Sequence, residues 1–280
     1  MREEPDTEFK RVHTAETWDG YADVWKQELD GDLAYRKNTE ERARIETDFL
    51  ARNGILRSDM DVIDVGSGPC VISAALARRS RNVTATDISP RMLEVGREYC
   101  NEAGIRNIGY MPCDFRESTM EDLGWSKAFD LAYASITPAL SGRRGLENFI
   151  ELSRAWCVNT SFVLYRTSLE RAAREMLGLD PDHPHWDGSQ YRQTWCALFD
   201  MGYCPNTFFH THSCTTFIAP NLQEAQTLAF WCGKRGDELV VDSILNMLRE
   251  LADQDGLIEE ELEVTYATTY WDVRIRQPRW

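Results

Sequence analysis

Residues 61–70 combine a short apolar run with a glycine turn, and this combination restricts the possible folds most strongly. Val62–Val65 has the composition of a buried strand, and Gly66 and Gly68 follow it directly. Pro69 then suits the first turn of a helix, because its missing N–H is not needed there. A strand that runs through a glycine turn into a helix lets the backbone approach a nucleotide closely. The sequence therefore predicts an α/β fold with a nucleotide-like ligand at this turn.

A second apolar run ends at Asp87, about 20 residues after the first strand. An acid at this spacing can accept hydrogen bonds from both hydroxyls of a ribose. The third glycine of the dinucleotide motif Gly-x-Gly-x-x-Gly is replaced by Val71. Pro69 also removes one amide from a possible pyrophosphate site. These departures argue against a nicotinamide dinucleotide and favour a ligand that has a ribose but no phosphate, such as S-adenosylmethionine.

Strands and helices are predicted to alternate through the middle of the chain. β-Branched and apolar runs predict strands, and apolar residues spaced by three and four predict helices. The predicted strands are 61–65, 82–87, 107–112, 129–134 and 162–165, and the predicted helices are 70–79, 90–104 and 145–156. Such alternation implies a parallel sheet covered on both faces, with ligands at the carboxyl ends of its strands.

Four segments, in this order, resemble the class I S-adenosylmethionine-dependent methyltransferases. They are Val62–Cys70, Val83–Leu93, Gly109–Phe115 and Phe129–Ser135. The resemblance extends over about residues 40–168, with Cys70 standing where the family more often has glycine. It implies an α/β, Rossmann-like, doubly wound and mostly parallel seven-stranded sheet, with an N-terminal helical lid and a helical insertion.

The outer segments are assigned by pattern and by this resemblance. Helices are predicted over 15–30, 39–52, 221–232 and 238–253, and strands over 207–214 and 263–275, the last two forming a hairpin-like pair at one edge. The predicted parts are an N-terminal helical lid at 1–53, an S-adenosylmethionine-binding α/β core at 54–168, a helical insertion or substrate cap at 169–204, and the C-terminal part of the core at 205–280.

The resemblance implies S-adenosylmethionine as the cofactor and a set of residues that hold it. Asp87 is assigned to the ribose, Asp64 to support of the turn and of the methionine ammonium, and Asp114 with Phe115 to the adenine. The whole predicted cofactor set is Asp64, Val65, Gly66, Ser67, Gly68, Asp87, Ile88, Met92, Cys113, Asp114, Phe115, Ala134 and Ser135.

The acceptor is expected to meet the donor beside the fourth strand, under the lid. Trp18, Tyr21 and Trp25 lie at helical spacing and share one helix face, which could close over the site or pack on the domain. The predicted lid and substrate residues are Trp18, Tyr21, Trp25, Arg36, Thr137 and Trp186. Arg36 is the candidate partner of the methionine carboxylate.

A general base is required only if the acceptor must lose a proton before methyl transfer. The candidate bases are Tyr133, Tyr165, Tyr191, His185 and His210. His210 and His212 point to one face of a strand, and His183 and His185 flank a proline, so a metal site there is conceivable. Solvated histidines are the commoner explanation of both patterns, and no metal is predicted.

Charge and composition restrict the partners. The net charge of −15 disfavours binding to phosphate backbones, so no nucleic-acid partner is expected. The first residues are charged, and no apolar run reaches the roughly 20 residues that span a bilayer. We therefore expect a cytoplasmic monomer or homodimer with no membrane partner and with reduced thiols.

The sequence predicts a methyltransferase that acts on a small-molecule acceptor by in-line transfer. Trp186, Tyr191, Trp195 and Phe199 would enclose that acceptor. Three alternatives stay open: a non-catalytic S-adenosylmethionine-binding sensor or partner subunit, a methyltransferase of a protein acceptor, and a nicotinamide oxidoreductase.

Overall fold

A seven-stranded sheet organises the fold. A computed structural model describes residues 13–31, 33–183 and 187–277. The strands are β1 Asp61–Val65, β2 Asn82–Asp87, β3 Ile108–Pro112, β4 Phe129–Ser135, β5 Ser153–Thr167, β6 Asn206–Ile218 and β7 Ile258–Asp272. Their order is β3-β2-β1-β4-β5-β7-β6, and β1 to β5 run parallel. The predicted Rossmann-like, doubly wound and mostly parallel fold is confirmed.

Nine α-helices flank these strands within the described residues. They are α1 Ala15–Gly31, α2 Leu33–Arg52, α3 Val71–Ala77, α4 Pro90–Glu102, α5 Gly142–Leu152, α6 Ser168–Met176, α7 Ser189–Asp200, α8 Leu222–Trp231 and α9 Glu238–Leu251. Several begin at polar caps: the Ser89 hydroxyl accepts from the Met92 N–H, and the Asp237 carboxylate accepts from the Val240 N–H. None of the described helices is both long enough and apolar enough to cross a membrane.

Strand β1 is buried on both faces, as an apolar run in a parallel sheet requires. Val62 packs into the hydrophobic cluster that contains Leu50 of α2, whereas Ile63 and Val65 pack into the cluster that contains Phe149 of α5. Because both faces are covered, the polar ligand groups can only gather where the strand ends. The glycine turn follows at that point.

The described chain divides into two compact units. Residues 13–161, 192–208 and 268–277 form the first unit, and residues 162–183, 187–191 and 209–267 belong to the second. The second unit has its own hydrophobic cluster, which includes Leu169, Leu228 and Ile244. This division differs from the predicted parts, since residues 192–204 of the predicted insertion group with the first unit.

Element boundaries in the middle of the chain match the prediction closely, and the later ones do not. Helix α5 ends at Leu152 instead of continuing to 156, and β5 starts at Ser153, nine residues before the predicted 162. Strand β6 is longer than the predicted 207–214, and β7 begins and ends earlier than the predicted 263–275. Helix α2 begins at Leu33, before the predicted 39.

Candidate functional site

A cleft opens at the carboxyl ends of the parallel strands. Its walls come from the segments that follow β1, β2, β3 and β4, and from α1. All of these segments belong to the first unit. The lining residues are His13, Trp18, Trp25, Val65, Gly66, Gly68, Thr86, Asp87, Ile88, Met92, Cys113, Asp114, Phe115, Arg116, Ile136, Thr137, Pro138 and Ala139.

The glycine turn after β1 is held to the end of β2 by backbone hydrogen bonds. The N–H groups of Gly66 and Ser67 donate to the Thr86 carbonyl at 2.8 and 3.0 Å. Gly66 and Gly68 have φ angles of 68° and 53°, which side chains rarely adopt. Side chains also crowd both glycines, because Thr137 fills the place of a Cβ at Gly66 and Trp25 lies 3.1 Å from that of Gly68. A side chain at position 66 would collide with Thr137, and one at position 68 would press against Trp25.

Asp87 stands at the end of β2 with its carboxylate fixed by the neighbouring backbone. Oδ2 accepts from the Gly68 N–H at 3.0 Å, and Oδ1 accepts from the Ser89 N–H at 2.9 Å. Burial raises the pKa of Asp87, and the backbone amides act in the opposite direction. Each carboxylate oxygen keeps a lone pair for a further donor, so the group can accept from ligand hydroxyls.

Asp64 lies beneath the turn instead of in the cleft wall. Its side chain is buried, and the Ser73 hydroxyl donates to Oδ2 at 2.5 Å. Burial raises the pKa of Asp64 to about 7, against the opposing effect of the Ser73 hydrogen bond. The position fits support of the glycine turn. Contact with a methionine ammonium stays a prediction.

The segment after β3 supplies the opposite wall. The Cys113 N–H donates to the Asp87 carbonyl at 2.9 Å, which brings this segment beside β2. Phe115 is buried, and the Asp114 carboxylate pairs with the Arg116 guanidinium at 3.5 Å. Arg116 also donates to the His13 carbonyl, so it connects the N-terminal segment to this wall.

Helix α1 covers the cleft with two of its three aromatic residues. Trp18 and Trp25 line the cleft, and their ring centroids are 6.3 Å apart. Tyr21 shares their face but is 51% exposed and does not line it. The His13 ring stacks on Trp18 at 5.7 Å, and burial lowers the pKa of His13, with Arg116 acting in the same direction.

Helix α1 is docked on the first turn of α4. The Asp19 carboxylate accepts from the Ser89 hydroxyl and from the Arg91 N–H, the latter at 3.2 Å. Asp23 pairs with the Arg91 guanidinium at 2.8 Å, and Lys26 pairs with Glu98 at 2.7 Å. These contacts fix the register of α1 over the cleft.

The segment after β4 carries a strained residue. Ile136 has a φ of 50°, an unusual conformation for a β-branched side chain, and the neighbouring Thr137 caps a short turn at Pro138–Leu140. Ser135 accepts from the Arg42 guanidinium at 2.9 Å. Ser135, Ala134 and Ser67 of the predicted cofactor set do not line the cleft.

The candidate bases lie elsewhere. Tyr133 is fully buried in the core, where its hydroxyl donates to the Glu46 carboxylate. Tyr165, Tyr191 and His210 belong to the second unit, and none of them lines the cleft. His185 and Trp186 fall outside the described residues.

Arg36 is the remaining predicted substrate residue. Its guanidinium pairs with Glu40 at 3.1 Å and lies over the Tyr99 ring, away from the cleft lining. No group of three His, Cys, Asp or Glu side chains among the described residues could hold a metal ion.

The cleft contains residues that sequence reasoning missed: His13, Thr86, Arg116, Ile136, Pro138 and Ala139. Thr86 lies inside the second motif, next to Asp87, and Ile136, Pro138 and Ala139 follow the fourth motif, so including the neighbours of the predicted residues would have found them. No pattern in the sequence indicates that His13 belongs to the site, because only the folded structure brings it to Trp18 and Arg116.

Comparison with known sequences gives a family match over part of the chain. Residues 62–156 match the model of a family described as "Methyltransferase domain". The ubiquinone biosynthesis O-methyltransferase of Xylella fastidiosa strain 9a5c is 35% identical over 79 residues, which is 28% of this chain and 29% of that protein. The chain thus matches less than a third of the length of this curated relative.

Comparison with solved structures supports the fold. Magnesium protoporphyrin IX methyltransferase from Synechocystis PCC 6803, solved with bound SAH, has a TM-score of 0.51 and 13% identity, covering 92% of this chain and 98% of its own. A provisionally named methyltransferase from Bacillus halodurans C-125 has a TM-score of 0.50 and 13% identity, covering 82% and 99%. At this identity the likeness concerns the fold alone.

Proposed function

We propose that this chain, which carries a class I S-adenosylmethionine-dependent methyltransferase domain, transfers the methyl group of that donor to a small-molecule acceptor. The observation that carries the proposal is the cleft in which the glycine turn, Asp87 and the Asp114–Phe115 segment meet. These three features reach it from the ends of three different strands. A ligand with a ribose, an adenine and an amino-acid group needs three sets of contacts, and these three features would supply them in one cleft.

The residues present fit this donor. Asp87 offers carboxylate oxygens to the ribose hydroxyls, and hydrogen bonds of this charged kind contribute about 1.5–3 kcal/mol each. Ile88, Met92 and Phe115 provide apolar surface for the adenine, beside the Asp114 carboxylate. The bound donor would supply an activated methyl group. The chain's own task is then to align the acceptor and exclude water, and Trp18 and Trp25 are placed to do so.

A small acceptor is favoured over a macromolecule. Trp18 and Trp25 of α1 line the cleft and narrow its opening, which suits a small acceptor more than a macromolecular one. The net charge of −15 opposes a nucleic-acid substrate. The name of the curated relative places O-methylation in ubiquinone biosynthesis, which is consistent with an organic hydroxyl as the acceptor here.

Calorimetric titration with S-adenosylhomocysteine tests the donor site. We expect binding to the unmodified chain, and at least tenfold weaker binding to Asp87→Ala, since each decade corresponds to about 1.4 kcal/mol. Asp59→Ala is the matched control, because Asp59 is an exposed carboxylate that does not line the cleft. Absence of binding to the unmodified chain, or equal effects of the two substitutions, would contradict the proposal.

A sensor that binds the donor without transfer is the competing function. It is favoured by the fact that none of the predicted bases in the described residues lines the cleft. Incubation with S-adenosylmethionine and a panel of phenols, catechols and amines separates the two. Formation of S-adenosylhomocysteine with an acceptor supports transfer, whereas tight donor binding without turnover supports the sensor.

A further inference from the structure

The second unit has a pocket of its own. Its walls come from the end of β5, the first turn of α6, residues 181–183, the middle of β6 and the first half of β7. All of these segments belong to the second unit. The pocket shares no lining residue with the cleft of the first unit, and the proposed methyl transfer gives it no task.

Hydrogen bonds join the segments that form this pocket. The Thr167 hydroxyl accepts from the Glu170 N–H at 3.0 Å and so caps the start of α6. The Ser168 hydroxyl accepts from the Glu261 N–H, also at 3.0 Å, which connects the same helix end to β7. Because two adjacent residues hold the end of β5, α6 and β7 together, the walls are defined by the fold itself.

Glu170 contributes a buried carboxylate to the lining of this pocket. Its side chain is only 3% exposed, and Oε1 accepts from the Arg174 Nε at 3.0 Å. Arg174 is itself fixed, because its Nη2 donates to the Trp231 carbonyl at 3.2 Å. The second oxygen of Glu170, Oε2, has no hydrogen-bond partner in the described part of the chain. Buried carboxylate oxygens normally have a donor, so Oε2 is an acceptor position that a ligand can fill.

The charged groups around the pocket favour a cation. Four carboxyl groups and two guanidinium groups line it, those of Glu170, Asp182, Glu261, Glu263, Arg166 and Arg171. Arg166 pairs with Glu263 at 3.7 Å, and Arg171 pairs with Asp182 at 3.8 Å. Arg174 balances Glu170 from behind the wall. The Glu261 carboxylate is left over, so the pocket has an excess of negative charge that attracts a positive ligand.

We propose that this pocket binds a small organic amine in its protonated form, with an ammonium N–H donated to Oε2 of Glu170 and the positive charge balanced by Glu261. An ammonium group supplies both missing partners, a hydrogen-bond donor for the buried oxygen and a positive charge for the excess carboxylate. An organic cation fits better than a metal ion, because no three acidic, histidine or cysteine side chains of the described chain converge as metal ligands do. The site is independent of methyl transfer in the first unit.

Calorimetric titration with matched small probes tests the ligand class. The probes are n-butylammonium, which has a charge and N–H donors, tetramethylammonium, which has a charge and no donor, and butan-1-ol, which has no charge. We expect n-butylammonium to bind the unmodified chain with a Kd of about 1 mM, and the other two to bind at least tenfold more weakly. Magnesium chloride is titrated in parallel and should bind more weakly than n-butylammonium.

Two exposed glutamates of β7 provide a matched pair of variants that locates the binding. Glu259 and Glu261 lie two residues apart, and only Glu261 lines the pocket. Glu261→Gln should weaken n-butylammonium binding at least threefold, and Glu259→Gln should change it less than about 1.5-fold. Glu170→Gln should weaken it at least tenfold, with circular dichroism as the check that this buried variant is folded. If it is not folded, the β7 pair decides.

The proposal is overturned if n-butylammonium does not bind the unmodified chain at concentrations up to about 10 mM. It is equally overturned if tetramethylammonium or butan-1-ol binds as tightly, because the N–H donor or the charge would then be irrelevant. Tighter binding of magnesium would assign the pocket to a metal ion. Equal effects of Glu259→Gln and Glu261→Gln would place the amine outside the pocket.

Discussion

Cys70 stands where the family more often has glycine, yet its backbone adopts a conformation typical of glycine. It has a φ of 58°, the left-handed conformation that glycine adopts most easily, at the N-cap of α3. Its side chain is directed at Gly96 of α4, where an added Cβ would lie 2.8 Å from the Cys70 Cβ and closer still to Sγ. The thiol of Cys70 therefore occupies space that an alanine at position 96 would need.

This contact predicts a reversal of sign for Gly96→Ala. Glycine to alanine within a helix normally stabilises by about 0.5–1 kcal/mol. Here overpacking should instead lower the free energy of unfolding by about 1–3 kcal/mol. In a Cys70→Gly background the same substitution should be neutral or stabilising. Urea denaturation of the four proteins measures the cycle. Equal losses in both backgrounds would show that Cys70 is not the obstacle.

At the scale of elements, α1 is held over the cleft by contacts that contribute unequally to its stability there. Asp19 accepts from the buried Ser89 hydroxyl and from a backbone N–H at the start of α4. Asp23, one turn later, makes an exposed ion pair with Arg91. Exposed pairs contribute about 0–1 kcal/mol, whereas hydrogen bonds to charged groups in less exposed settings contribute about 1.5–3.

Asp19→Ala should therefore weaken S-adenosylhomocysteine binding about tenfold and speed its dissociation, because α1 is released from α4. Asp23→Ala should change binding less than about threefold and serves as the control on the same helix. The fluorescence of Trp18 and Trp25, followed by stopped flow, should report binding and gives the association and dissociation rates of S-adenosylhomocysteine. Similar effects of the two substitutions would argue that α1 does not act as a cover.

Strand β5 shows where pattern reasoning failed for an element. The apolar spacing of Leu146, Phe149 and Ile150 predicted a helix to 156, yet α5 stops at Leu152. Arg154 and Ala155, which follow, are themselves good helix formers. Pairing with β4 decides the outcome, since Trp156, Cys157 and Val158 lie in register with Leu131, Ala132 and Tyr133. Tertiary pairing thus overrides a helical period that continues past the true helix end.

At the scale of the whole molecule, buried carboxyl groups make stability depend on pH, and two of them have the largest shifts in pKa. Burial raises the pKa of Asp64 in the first unit and that of Glu260 in the second, each to about 7. Their ordinary values are 3.8 and 4.5. Between these limits the folded chain retains protons that the unfolded chain has released. The free energy of unfolding therefore falls as pH rises from about 4 to 7.

Urea denaturation between pH 4 and 8 should show this fall, with a slope of up to about 1.4 kcal/mol per pH unit for each group. The fall should level off above pH 7, once both groups are ionised in the folded chain as well. The double variant Asp64→Asn, Glu260→Gln should flatten the slope, and the matched change at exposed carboxyls, Asp59→Asn with Glu261→Gln, should leave it intact. A slope that is unchanged in the first double variant would contradict the prediction, whereas the raised pKa values of Asp87, Glu170 and Glu224 should leave a smaller slope.

The sequence by itself determined the local parts of the binding region. The glycine turn, β2 with Asp87, and the start of α4 at Pro90 are fixed by short-range constraints: positive φ angles, a buried apolar run and an N-cap. These act between residues close in the chain, so a single sequence reveals them. Of the thirteen cofactor residues predicted from these motifs, nine line the cleft.

Only the tertiary structure decided which distant residues share the cleft. His13 stacks on Trp18 and accepts a hydrogen bond from Arg116, while Tyr133 turns into the core to meet Glu46 of α2. The chain's division into two units and the position of β6 at the sheet edge have the same origin. Each depends on pairing and packing between residues far apart in sequence, whose energies no local pattern records.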